Sequence, residues 1–184
     1  MLGVPIRQIF TRQINRKSII HQPIVNLNFI NEITKDKVAI LDLDKTLWNF
    51  YSGFEDMHDN VVNSESPVYP QARELIDNLK HDHHLAIASL SPDTTYALRC
   101  VEELFGLETF DRIVIRGLYN KEFCKVNGLE YDPFEQYLTK HYHFGQIKRT
   151  FGLDPTKYTL YDDDQRNIDI ALNLGMSAVL WKID

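Results

Sequence analysis

The stretch Val38-Ala39-Ile40-Leu41-Asp42-Leu43-Asp44-Lys45-Thr46-Leu47-Trp48 constrains the fold more than any other part of the chain. It opens as an apolar run with the length and β-branched content of a buried strand, then breaks into two carboxylates spaced i and i+2 with a threonine two residues later. Alternate side chains of a strand share a face, so Asp42 and Asp44 would leave the strand end on one side, roughly 6–7 Å apart. Two anions at that spacing repel unless a cation lies between them or one of them holds a proton. Taken alone, the pair is equally compatible with a strand that runs into an acidic, helix-capping turn.

The remainder of the chain favours a site. Apolar runs at 84–90, 111–117, 158–161 and 177–181 read as strands. Helices are predicted over 70–82, with Pro70 first and Ala72, Leu75, Ile76 and Leu79 on one face, and from Pro92 to Phe105, with Ser91 as N-cap and Gly106 as the stop. Two more are predicted over 133–151 and 167–174. Alternating strands and helices imply an α/β fold, a Rossmann-like doubly wound parallel sheet with helices on both faces. Such sheets bind ligands outside the carboxyl ends of their strands. Three predicted strands end there in Asp42 and Asp44, in Ser89, and in Asp162 and Asp163, so the fold gathers these side chains at one rim.

The 184 residues suit one domain with a full core. A net charge of −6 argues against a general polyanion binder, and two cysteines are too few for a disulfide framework. No apolar run approaches the roughly 18 residues of a membrane span. Residues 1–36 form a basic extension: Arg7, Arg12, Arg16 and Lys17 precede the first acid, Glu32. This start resembles an organellar transit peptide, and the other reading is an arm that packs through Ile24, Val25, Leu27 and neighbouring apolar residues. The expected compartment is the cytoplasm, with the mitochondrion as the alternative. The domain is expected over 37–184, with cap-like loops at 49–69 and 118–132.

Four carboxylates at one rim, without cysteine, suit a hard, oxygen-loving cation such as Mg²⁺, which commonly meets a phosphate. One aspartate facing the ligand could act as a nucleophile, and its partner two residues on could give and take a proton. Ser89 offers a hydroxyl to a phosphoryl oxygen, and a lysine is needed to balance the remaining charge.

These motifs resemble the haloacid dehalogenase (HAD) superfamily of phosphotransferases over residues 38–181. Asp42, Asp44 and Thr46 match its first motif, Ser89 its second, Lys140 its third, and Asp162, Asp163 and Asn167 its fourth. Within the superfamily, Asp42 to Trp48, Lys140 to Phe144 and Asp162 to Ile168 look most similar to the magnesium-dependent phosphatase-1 group. Leu90 departs from that group, which usually has arginine there, and Lys45 replaces an aromatic residue. The resemblance implies Asp42 as nucleophile and Mg²⁺ ligand, and Asp44 as general acid and base with its carbonyl on the metal. It also implies Lys140 as the balancing cation. Asp163 is the better match for the direct ligand with Asp162 and Asn167 behind it, although the two aspartates could be reversed.

Lys148 is the rival lysine, on a helix face expected to be solvated. His141 and His143 are expected to have packing or surface roles, because their spacing points them apart. Trp48 could touch substrate, as Leu90 could, or pack in the core. Without a large cap the site should be open, suiting a phosphoprotein or a sugar phosphate; the acidic rim disfavours nucleic acid. A homo-oligomer is compatible with the sequence. The competing readings are a catalytically silent binding or assembly protein that uses the N-terminal arm, and a phospho-accepting receiver, which Asp44 fits poorly.

Overall fold

A computed structural model describes residues 24–49, 67–91, 93–117 and 140–183. In chain order the elements are β1 (Ile24–Asn28), β2 (Val38–Leu41), α1 (Pro70–Leu79), β3 (His84–Ser91) and α2 (Thr94–Phe105). Then follow β4 (Arg112–Gly117), α3 (His141–Phe151), β5 (Tyr158–Asp162), α4 (Gln165–Asn173) and β6 (Ser177–Leu180). The six strands form one sheet in the order β1-β4-β3-β2-β5-β6. All neighbours pair in parallel except β1, which runs antiparallel along β4.

Both faces of the sheet are covered, which is why the central strands read as unbroken apolar runs. In β2, Ala39 and Leu41 point into one core with Leu85, Ile87, Ile113 and Ile115, under α1 and α2. Val38 and Ile40 point into the other with Ala86, Ala88, Val114 and Leu160, under α3 and α4. A fully buried aliphatic side chain is worth about 1.5–3 kcal/mol, so this two-sided burial pins the register. Leu41 lies opposite Ile87 of β3 and Tyr161 of β5. The residues one or two steps further on, Asp42, Ser89 and Asp162, are thereby set at the same end.

Three sequence expectations change. Residues 24–28, assigned to the extension, are an edge strand of the sheet: Val25 and Leu27 enter the core beneath α2, and alternation on one face is all an edge strand requires. The cap of α2 is Asp93 rather than Ser91; its carboxylate accepts from the Tyr96 N–H at 2.8 Å. Ser91 instead ends β3, its hydroxyl accepting from the Asp93 N–H at 3.2 Å and donating to the Asp93 carbonyl at 3.0 Å. The last helix starts at Gln165, two residues early, capped by Asp164. Gly106 stops α2 as expected, at φ 79°, where a Cβ would meet the Glu108 carboxylate at 2.5 Å. Most of the cap-like loop at 49–69, including Phe50, Tyr51, Phe54, Met57 and His58, all of the loop at 118–132, including Cys124, and the predicted helical turns at 133–139 lie outside the described residues. Among the described residues no helix is long and apolar enough to cross a membrane.

Candidate active site

The chain leaves β2 through a single tight turn. The N–H groups of Thr46, Leu47 and Trp48 all point at the Leu43 carbonyl, at 3.2, 2.9 and 3.4 Å. Lys45 takes the left-handed conformation, φ 61°, which a non-glycine side chain adopts at a cost of about 1–2 kcal/mol. The turn returns Thr46 beneath Asp42, its hydroxyl donating to Asp42 Oδ2 at 3.3 Å. It also brings Trp48 back to Asp44, where the indole N–H donates to Oδ1 at 2.8 Å.

Asp42 sits at the centre of the rim. Lys140, immediately ahead of α3 and 98 residues away in sequence, donates from Nζ to Asp42 Oδ1 at 2.5 Å. The same ammonium donates to Asp162 Oδ2 at 2.6 Å. Asp162 is fully buried and heavily engaged: Oδ1 accepts the Asp164 N–H at 2.9 Å, and Asn167 Nδ2 reaches both carboxylate oxygens at 3.2 and 3.1 Å. Asp163 is half-buried beside it. Asp42, Asp162 and Asp163 can each present one oxygen such that all three lie within 4.8 Å of one another. The third aspartate of the run has a different role. Asp164 accepts the Arg166 N–H at 2.9 Å and pairs with the Arg166 guanidinium at 2.5 Å, capping α4.

The electrostatics follow from this crowding. Burial raises the Asp42 carboxyl above the ordinary aspartate range; Lys140 opposes the rise, while Asp162 and Asp44 reinforce it. Burial and then the Asp162 charge likewise raise Asp163. Burial works against the Lys140 ammonium, but Asp162 and Asp42 prevail and hold its pKa above the usual lysine value. One ammonium therefore faces an excess of carboxylates, and a further cation would relieve it.

Ser89 lies fully buried two residues before the end of β3, and its hydroxyl has no partner among the described residues. A buried hydroxyl left unpaired at a strand's carboxyl end suits an oxygen of an incoming ligand. The Ser89 carbonyl faces His143 Nε2 at 2.8 Å. A carbonyl can only accept, so Nε2 carries the hydrogen, and burial followed by the nearby Lys140 charge pushes the imidazole down to about 3 and keeps it neutral. The packing role expected of His143 is thus a specific one, whereas His141 is exposed.

The Trp48 ring is fully buried and stacks on Phe105, with centroids 6.4 Å apart. Leu90 is half-buried on β3 opposite Arg116 of β4, whose guanidinium lies over the Tyr142 ring at 5.4 Å. Lys148 lies on α3, outside this cluster. The strands thus bring together Asp42, Thr46, Ser89, Lys140, Asp162, Asp163 and Asn167, with Asp44 held at the rim by Trp48. Sequence reasoning missed the capping role of Asp164, although an Asp immediately before a helical run is an N-cap pattern. A cavity of about 450 Å³ lined by Arg73, Ile76, Leu85 and Phe105, among others, lies at the opposite, amino end of the strands. Among the described residues, the candidate metal-ligating cluster is the one at the rim, Asp42, Asp162 and Asp163.

Comparison with known proteins agrees with the geometry. Human magnesium-dependent phosphatase 1 is 23% identical over 153 residues, covering 78% of this chain and 76% of that protein. A Mesorhizobium loti protein described as a HAD-like phosphatase superposes with a TM-score of 0.60 at 11% identity, over 84% of this chain and 77% of that one. The phosphatase-domain part of a Bacteroides fragilis protein, complexed with Mg, gives a TM-score of 0.52 at 17% identity, over 79% of this chain and 36% of that one. These two share the fold. The family model described as Acid Phosphatase matches residues 35–182. The chain belongs to the Acid Phosphatase family, a HAD-type phosphatase by sequence and by fold.

Proposed function

We propose that the protein hydrolyses phosphomonoesters with Mg²⁺ through an aspartyl-phosphate on Asp42, acting on an accessible phosphoprotein or sugar phosphate. The observation that carries this reading is the convergence of Asp42, Asp162 and Asp163 around one point, with the Lys140 ammonium bridging Asp42 and Asp162. An all-oxygen donor set of this kind fits Mg²⁺. Asp163, half-buried and less engaged than Asp162, is the stronger candidate for direct ligation, with Asp42 and the Asp44 carbonyl; Asp162 orients Lys140 and Asn167 behind it. When bound, the cation would neutralise phosphoryl oxygens that the acidic rim would otherwise repel.

The remaining chemistry belongs to the chain. Lys140 and Thr46 hold the two oxygens of Asp42 and fix the angle of the carboxylate. Asp42 attacks phosphorus, a new O–P bond forms, and the ester P–O bond breaks. Asp44 gives its proton to the departing alkoxide. A water then attacks the phosphoryl group, Asp44 takes its proton, and release of phosphate regenerates the Asp42 carboxylate. Ser89 and Lys140 bind the phosphoryl oxygens during both transfers.

Hydrolysis of an aryl phosphate with Mg²⁺ and with EDTA, by the wild type and Asp42→Asn, tests the proposal. Turnover that requires Mg²⁺ and vanishes in Asp42→Asn is the expected result. Metal-independent turnover, or activity retained by the variant, would refute it.

A further inference from the structure

We propose that Trp48 is a positioning residue that aims the proton-donating carboxyl of Asp44 at the leaving oxygen. The proposal rests on the assignment of Asp44 as general acid.

A buried indole N–H needs an acceptor, and backbone carbonyls usually serve. Here the acceptor is a side chain: Nε1 of fully buried Trp48 donates to Asp44 Oδ1 at 2.8 Å. The contact follows from the turn. Residues four apart in one helical turn meet on the same side, and the three N–H groups converging on the Leu43 carbonyl make residues 43–48 such a turn. Trp48 is itself held through its ring and its backbone. Its ring stacks on Phe105 of α2, its backbone bridges Val68 ahead of α1, and a second bridge links it to Asp44. Asp44, two residues past the nucleophile on a left-handed turn at Lys45, is thus oriented by a rigid donor anchored in the core rather than by solvent. An acid that must reach a departing oxygen loses rate steeply when its direction drifts, by as much as about 100-fold for a displacement near 1 Å.

The test uses the leaving group as the reporter. A dinitrophenolate departs without protonation, whereas an alkoxide needs the proton, and kcat/KM reports the steps through the first phosphoryl transfer. With Mg²⁺ present, kcat/KM is measured on 2,4-dinitrophenyl phosphate and on an alkyl phosphate for wild type, Trp48→Phe and Asp44→Asn. Trp48→Phe keeps an aromatic ring and removes the N–H. The expected result is that the alkyl ester suffers more than the dinitrophenyl ester, by about tenfold or more, in both variants. A selective loss in Asp44→Asn with an equal loss on both esters in Trp48→Phe would overturn the positioning role while leaving the acid assignment intact. An equal loss in Asp44→Asn would overturn the acid assignment and the positioning role with it. Should Trp48→Phe fail to fold, benzothienylalanine at position 48, with sulfur in place of the N–H, makes the same comparison in an unchanged shape.

Discussion

Lys140→Met in the metal-free protein is the most direct probe of how the rim is held together. The ammonium is 2% exposed and lies 2.5 Å from Asp42 Oδ1 and 2.6 Å from Asp162 Oδ2. Methionine fills most of its volume but returns no charge, leaving two buried carboxylates facing each other with half-buried Asp163 beside them. Removing one partner of a buried ion pair costs about 3–5 kcal/mol, because the penalty is the uncompensated charge that remains. For a protein of this size each kcal/mol moves the midpoint by about 2–4 °C, so the expected drop is roughly 6–20 °C. Thermal unfolding followed by circular dichroism in EDTA at pH 7 measures it. The same scan in Mg²⁺ should show partial recovery, larger in Lys140→Met than in the wild type. A cation bound at 100 times its Kd adds about 2.7 kcal/mol, and the variant presents it with less competing positive charge. A midpoint in EDTA within about 2 °C of wild type would refute the assignment of Lys140 as the counter-charge. Equal Mg²⁺ stabilisation of the two proteins would refute the shared site.

Three further outcomes are expected. His143 is neutral in the fold and pushed down to about 3, whereas in the unfolded chain it takes a proton near 6.5, so the unfolded state binds more protons across that window and His143 makes the fold lose stability as pH falls from 6.5. Urea unfolding between pH 7 and 4 should therefore be less pH-dependent for His143→Gln than for wild type; identical slopes would contradict the burial argument. Asp163→Asn should weaken Mg²⁺ binding measured by calorimetry. Asp164→Ala should instead cost about 1 kcal/mol in urea unfolding through loss of the helix cap, with Mg²⁺ binding retained.

What could be read from the sequence follows the range of the forces involved. The strands at 38–41 and 84–91 announce themselves because burial on both faces demands largely apolar runs, whereas 158–162 buries only alternate residues; their ends located Asp42, Ser89 and Asp162. The edge strand Ile24–Asn28 gives a weaker signal, since Asn26 and Asn28 interrupt it and only one face needs to be apolar. The three successive aspartates 162–164 are indistinguishable as letters. Their division into a buried anchor, a half-buried candidate ligand and a helix cap depends on Lys140, Asn167 and Arg166 arriving from elsewhere. Trp48 shows the same limit: its aromatic identity suggested contact with substrate or core, and only the turn at Leu43 revealed Asp44 as its acceptor.

The strand order also says when the site can exist during synthesis. β2 occupies the middle of the sheet, with β3 on one side and β5 on the other. β3 follows β2 through α1, but β5 leaves the ribosome only after α3, when Val38 can finally pair with Tyr158. Until then the flank of β2 that pairs with β5 is an open edge, and Asp162, which shares the Lys140 ammonium with Asp42, is missing. Long-range pairings of this kind slow folding and expose unpaired strand edges to other chains. A ribosome stalled before β5 would therefore hold a nascent chain with an open, adhesive centre strand, and the emergence of residues 158–162 both closes the sheet and completes the acidic rim.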